Sequence, residues 1–95
     1  MIDYVDQSVL VTGAASGIGA ALAKALAARG AYVVCADVNE AGLTETVATL
    51  GDSGEAIVCD LSDPNAGAAL IAQAYESRGH LALLCSNAGI GHRAK

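Results

Sequence analysis

Apolar residues fall in four short runs, and the stretches between them carry helical spacing. The runs are Val9-Leu10-Val11, Tyr32-Val33-Val34-Cys35-Ala36, Ile57-Val58-Cys59 and Leu81 to Cys85. Each is too short for a helix and most are rich in β-branched residues, so they predict strands over residues 9–12, 32–36, 56–59 and 81–85. Between the first two, Ile18, Leu22, Ala25 and Leu26 share a helical face, with Lys24 and Arg29 outside it. That spacing predicts a helix over residues 18–29, closed by Gly30. Asn39 predicts the cap of a second helix reaching about Leu50, with Leu43, Val47 and Leu50 on its apolar side. Residues 51–54 read as a turn. Asp63-Pro64 predicts the start of a third helix, since proline lacks only an N–H that the first turn leaves unpaired anyway. Leu70, Ile71, Ala74 and Tyr75 form its apolar face, and Gly79 ends it.

Strands separated by single helices require right-handed crossovers and a parallel sheet. The fold class is therefore α/β. It is expected to be a Rossmann-like, doubly wound parallel sheet that stops after about four strands, in the order 3-2-1-4, with residues 1–95 as one domain. A ligand crevice is expected where the strand order reverses, between the first and fourth strands. Composition agrees: 54% of residues are hydrophobic, with 11 glycines, one proline and neither Trp nor Phe. Such a chain suits a buried sheet under small-residue helices and does not suit disorder.

The first strand runs into Thr12-Gly13-Ala14-Ala15-Ser16-Gly17-Ile18-Gly19 and then into the first helix. Strand, glycine turn and helix in that order make an anion site, because the N–H groups at a helix N-terminus are unpaired and partially positive. Gly13 suits a tight exit from the strand, Gly17 a close approach of backbone to a diphosphate, and Gly19 close packing of helix on sheet. Gly13, Ser16, Gly17, Ile18 and Gly19 are the candidate contacts. A phosphate loop of the nucleoside-triphosphatase kind is excluded by the lack of Gly-Lys-Ser/Thr. Asp37, at the end of the second strand and 18 residues beyond Gly19, can accept hydrogen bonds from both hydroxyls of an adenosine ribose. It would repel a 2′-phosphate, and Ala15, Ser16, Val38 and Asn39 supply no base to hold one, so NAD is expected rather than NADP.

The net charge of −5 argues against nucleic acid and anionic membrane as partners. No apolar run reaches the ~20 residues of a membrane span, and a cytoplasmic location is expected. Cys35, Cys59 and Cys85 sit in strand-like runs without metal-ligand spacing, and read as reduced core thiols. No metal site is expected. His80 and His92 belong to no motif and are expected at the surface.

The spacing Gly-x-x-x-Gly-x-Gly after Thr12 resembles that of the classical short-chain dehydrogenase/reductase family. The resemblance runs from about Gln7 to Gly91, which is the cofactor-binding half of such proteins. It implies that Asp60 accepts from the adenine amino group and that the Leu61 N–H donates to the ring. Ser86-Asn87-Ala88-Gly89 resembles the family's Asn-Asn-Ala-Gly, with serine in place of the first asparagine. The resemblance makes Asn87, Ala88 and Gly89 further cofactor residues, with Asn87 bonding the ribose region or bracing the glycine loop.

Family members transfer hydride between a nicotinamide and an alcohol or ketone, using a serine and a Tyr-x-x-x-Lys pair for the proton. Four residues beyond Tyr4, Tyr32 and Tyr75 stand Ser8, Ala36 and Gly79. No catalytic residue is therefore assigned, and the chain reads as part of a longer oxidoreductase. The alternatives are a stand-alone NAD-binding module and, from a different class, an S-adenosylmethionine-dependent methyltransferase. The glycine spacing and Ser-Asn-Ala-Gly disfavour the latter. An apolar fourth strand at the sheet edge is also expected to permit self-association.

Overall fold

The central strands of the computed structural model are buried along their whole length. β1 (Ser8–Thr12) is buried at all five positions and β2 (Tyr32–Asp37) at its four central ones. Strands covered on both faces need continuous apolar runs rather than alternation, and these two supply them. The structure describes residues 4–85. After β1 come α1 (Gly17–Ala28), β2, α2 (Glu40–Leu50), a 3₁₀ turn (Gly51–Ser53), β3 (Gly54–Val58), α3 (Ala66–Arg78) and β4 (Leu83–Cys85). The four strands are parallel and ordered β3-β2-β1-β4.

Alternate residues of each strand serve opposite faces. Val9, Val11, Val33 and Cys35 pack with Ala23, Leu26, Leu43 and Leu50 under α1 and α2. Leu10, Val34, Ala36 and Ile57 meet Leu70 and Ala74 of α3 on the other face. The register sets Thr12 beside Ala36 and Asp37 beside Val58, so the C-terminal ends of β1, β2 and β3 form one edge.

Several boundaries and faces differ from the sequence reading. α1 packs through Gly19, Ala23 and Leu26. Ile18, one residue before Gly19 and about 100° round the helix, is 76% exposed, and Ala25 is exposed too. α3 starts at Ala66 rather than at Asp63-Pro64, because Asp63 first accepts the Asn65 N–H in a local turn (2.9 Å). It buries Leu70 and Ala74 and leaves Ile71 and Tyr75 exposed, a narrower stripe than the sequence spacing suggests. β3 begins two residues early, at Gly54. A Cβ there would lie 2.6 Å from Leu50 Cδ1 and 2.8 Å from the Val33 carbonyl oxygen, so only glycine lets the strand close on β2 beneath α2. At the end of α1, Gly30 (φ +97°) turns the chain, and the Gly30 and Ala31 N–H groups return to Ala27 and Leu26.

Candidate functional site

The loop joining β1 to α1 folds back over the end of β2. Gly13 and Gly17 have φ of +69° and +60°, backbone that L side chains rarely adopt. Nothing lies within 4 Å of where a Gly17 Cβ would stand, so the loop shows an open backbone face at the helix start. Ser16 is extended at the N-cap and makes no side-chain capping bond. The first helical N–H groups of α1 precede the bond from Ala20 N–H to the Ser16 carbonyl (3.4 Å). That end of the helix therefore favours negative charge without a basic side chain.

Asp37 joins this loop to the sheet. Its Oδ2 accepts the Ala15 N–H at 2.9 Å and its Oδ1 accepts the Asn39 N–H at 3.1 Å. The carboxylate is half-buried and held by two backbone donors, and each oxygen keeps acceptor capacity. The Ala14 N–H donates to the Ala36 carbonyl (3.1 Å), and the Thr46 hydroxyl donates to the Ala14 carbonyl (2.8 Å). α2 also comes against the loop at Gly42, where a Cβ would lie 2.7 Å from Ala15 Cβ and 2.8 Å from its carbonyl oxygen. Sequence reasoning assigned neither Thr46 nor Gly42 a role. One hint was available: a glycine in the first turn of a helix, where alanine is favoured.

Asp60 stands two residues beyond β3, fully exposed. Its Oδ1 accepts both the N–H (3.0 Å) and the hydroxyl (2.7 Å) of Ser62. Those bonds hold its carboxyl below the usual carboxylate range. Ile18 in the first turn of α1, and Val38 and Leu61 just past the ends of β2 and β3, are exposed apolar side chains. A cleft of about 260 Å³ opens between β3 and the start of α3, with Val58, Cys59, Asp60 and Gln73 in its wall. The structure thus brings Gly13, Ser16, Gly17, Ile18, Gly19 and Asp37 together, with Asp60 and Leu61 farther along the same edge. Ser86, Asn87, Ala88 and Gly89 lie outside the described residues.

Cys35 and Cys59 are free thiols. Burial pushes Cys35 up to about 11, and burial followed by the nearby Asp60 and Asp63 charges raises Cys59. Neither is poised as a nucleophile, which needs the thiolate. Among the described residues no His/Cys/Asp/Glu group could hold a metal ion, and no helix is long and apolar enough to cross a membrane. His80 is exposed, with Nε2 3.0 Å from the Asp6 carbonyl oxygen. It stands near the opposite sheet edge, where Glu55 accepts from Tyr32 (2.8 Å) and Ser77 (2.6 Å) and Arg78 lies 4.2 Å from the Tyr32 ring centroid.

Comparison with known proteins agrees with this arrangement. A family model described as short chain dehydrogenase matches residues 7–95. Cis-4-hydroxycyclohexanecarboxylate dehydrogenase from Sinomonas cyclohexanicum is 43% identical over 90 residues, covering 92% of this chain and 36% of that protein. The chain spans about a third of the length of the curated relatives it matches. A short chain dehydrogenase from Mycobacterium smegmatis superimposes with a TM-score of 0.84 at 41% identity, over 94% of this chain and 41% of that one. A 3-ketoacyl-(acyl-carrier-protein) reductase from Brucella melitensis, complexed with NADH, gives 0.80 at 32% identity over 86% of this chain and 34% of its own.

Proposed function

Since the chain belongs to the short-chain dehydrogenase family, we propose that it is the NAD(H)-binding portion of an oxidoreductase that moves hydride between nicotinamide and an alcohol or ketone. The observation that carries this reading is the Asp37 carboxylate, held by the Ala15 and Asn39 N–H groups beside an open glycine loop. The residues fit the cofactor. The backbone face at Gly17 leaves room for a diphosphate, and the N–H groups opening α1 would meet its charge. The remaining acceptor capacity of Asp37 suits the two ribose hydroxyls, and its charge would repel a 2′-phosphate. Val38 and Leu61 would flank the adenine, Asp60 would accept from its amino group and the Leu61 N–H would donate to its ring. Asn87 would bond the ribose region or brace the glycine loop, with Ala88 and Gly89 as further cofactor residues. The bound nicotinamide supplies the hydride-accepting carbon. The residues of this chain would bind and orient it.

The test is fluorescence titration of the 95-residue chain with NADH and with NADPH, repeated for Asp37→Ser. The reading predicts at least a tenfold preference for NADH, roughly the effect of 1.4 kcal/mol, and a much smaller preference in the variant. Equal affinities in the parent would overturn the choice of NAD. Preferential binding of S-adenosylmethionine would overturn the oxidoreductase assignment itself.

A further inference from the structure

α2 carries three threonines, and they use their hydroxyls differently. Thr44 donates to the Glu40 carbonyl (3.0 Å) and Thr49 to the Thr46 carbonyl (2.6 Å), the local bonds expected of a helical threonine. Thr46, only 4% exposed, instead reaches across 32 positions of sequence to the Ala14 carbonyl at 2.8 Å. The Ala14 carbonyl and the Ala15 N–H belong to one peptide plane. Thr46 holds its oxygen end and the Asp37 carboxylate its N–H end.

We propose that Thr46 is a positioning residue for the cofactor site, fixing the tilt of the Ala14–Ala15 peptide and through it both the glycine loop and the Asp37 carboxylate. Ala14 is fully buried, so without the hydroxyl its carbonyl has no ready access to water. The peptide then gains by rotating, and rotation carries the Ala15 N–H away from Asp37. Gly42 packs against Ala15 from the same helix and limits how far the loop can move as a body. The inference rests on reading this loop as the diphosphate site.

The experiment follows amide hydrogen exchange by NMR in the full 95-residue chain without cofactor, with NADH titrations in parallel. Thr46→Val removes the hydroxyl at nearly constant volume and Thr46→Ser keeps it. Tyr32→Phe, which removes a hydrogen bond at the opposite sheet edge, is the control. Thr46→Val is expected to speed Ala15 exchange and weaken NADH binding, each by roughly three- to tenfold, with Val9 to Val11 still protected. Thr46→Ser is expected to restore both, and Tyr32→Phe to leave NADH binding unchanged and to speed Ala15 exchange no more than it speeds Val9 to Val11. Unchanged Ala15 exchange in Thr46→Val, or a serine variant no better than valine, overturns the proposal while NADH binding by the parent upholds the cofactor reading. A parent that binds no NADH overturns the cofactor reading instead, whatever the exchange shows. If Thr46→Val and Thr46→Ala both fail to fold, Thr46 serves general stability and the positioning role is overturned.

Discussion

Gly42 and Gly67 stand in the first turns of α2 and α3, and alanine is predicted to have opposite effects at the two. Alanine in a helix is favoured over glycine by about 0.5–1 kcal/mol, because glycine loses more backbone freedom on folding. At Gly67 nothing lies within 4 Å of the new Cβ, so that gain should appear nearly whole. At Gly42 the Cβ would fall 2.7 Å from Ala15 Cβ, 2.8 Å from the Ala15 carbonyl oxygen and 3.0 Å from Asn39 Nδ2. Comfortable contact needs about 3.5–4.0 Å, so loop and helix must separate by roughly 1 Å. Two of the three obstructing atoms belong to the loop that Thr46, Asp37 and Ala36 already hold, and such overpacking costs about 1–3 kcal/mol. At mid-range, a cost of about 2 kcal/mol less a helical gain of about 0.75 leaves Gly42→Ala destabilised by about 1 kcal/mol, lowering Tm by about 4–8 °C in a domain of this size. Gly67→Ala should raise Tm by a few degrees. Thermal denaturation followed by circular dichroism gives both Tm shifts, and urea denaturation gives the free energies. A Gly42→Ala chain as stable as the parent would refute the close approach of α2 to the loop, and with it the buttressing of the site from behind.

Two further predictions concern groups away from the site. Tyr32→Phe removes the hydroxyl that bonds Glu55 and should cost about 1 kcal/mol in denaturant unfolding. Burial holds the Cys35 thiol neutral to about pH 11, whereas the unfolded chain ionises it near its ordinary value of 9.0. The folded state therefore keeps the proton longer, so the stability this thiol contributes is complete below pH 9 and is lost between pH 9 and 11. Cys59 and Tyr32 are shifted the same way and steepen the decline. Replacing Cys35 with alanine should flatten part of that slope, and an identical pH profile for the variant would contradict the burial argument.

The strand–helix alternation and the glycine turn were legible because they rest on local rules, namely short β-branched runs, helical spacing and glycine at positive φ. Asp37 was legible because its place follows from the length of one β-α-β unit. Ile18 was readable as a loop contact but not as an exposed side chain. Its hydrophobicity suggests core, and only the docking of Gly19 on the sheet turns it outward. The clamp from α2 could not be read at all. Thr46 and Ala14 are 32 residues apart, and nothing local separates Thr46 from Thr44 or Thr49. Gly54 likewise looked like a turn residue, although it opens β3, because its need for a missing side chain arises from Leu50 and Val33 in space.

The edge formed by Gly13 to Gly19, Asp37, Asp60 and Leu61 is proposed to bind a nicotinamide dinucleotide. An NMR titration of the isotope-labelled chain with NADH tests it most directly. Saturable amide shifts are expected at Gly13, Gly17, Gly19, Asp37, Val38 and Leu61, with Asp6, Asp52 and Arg78 at the opposite edge unmoved. Shifts centred on those three residues, or none at millimolar NADH, would contradict it.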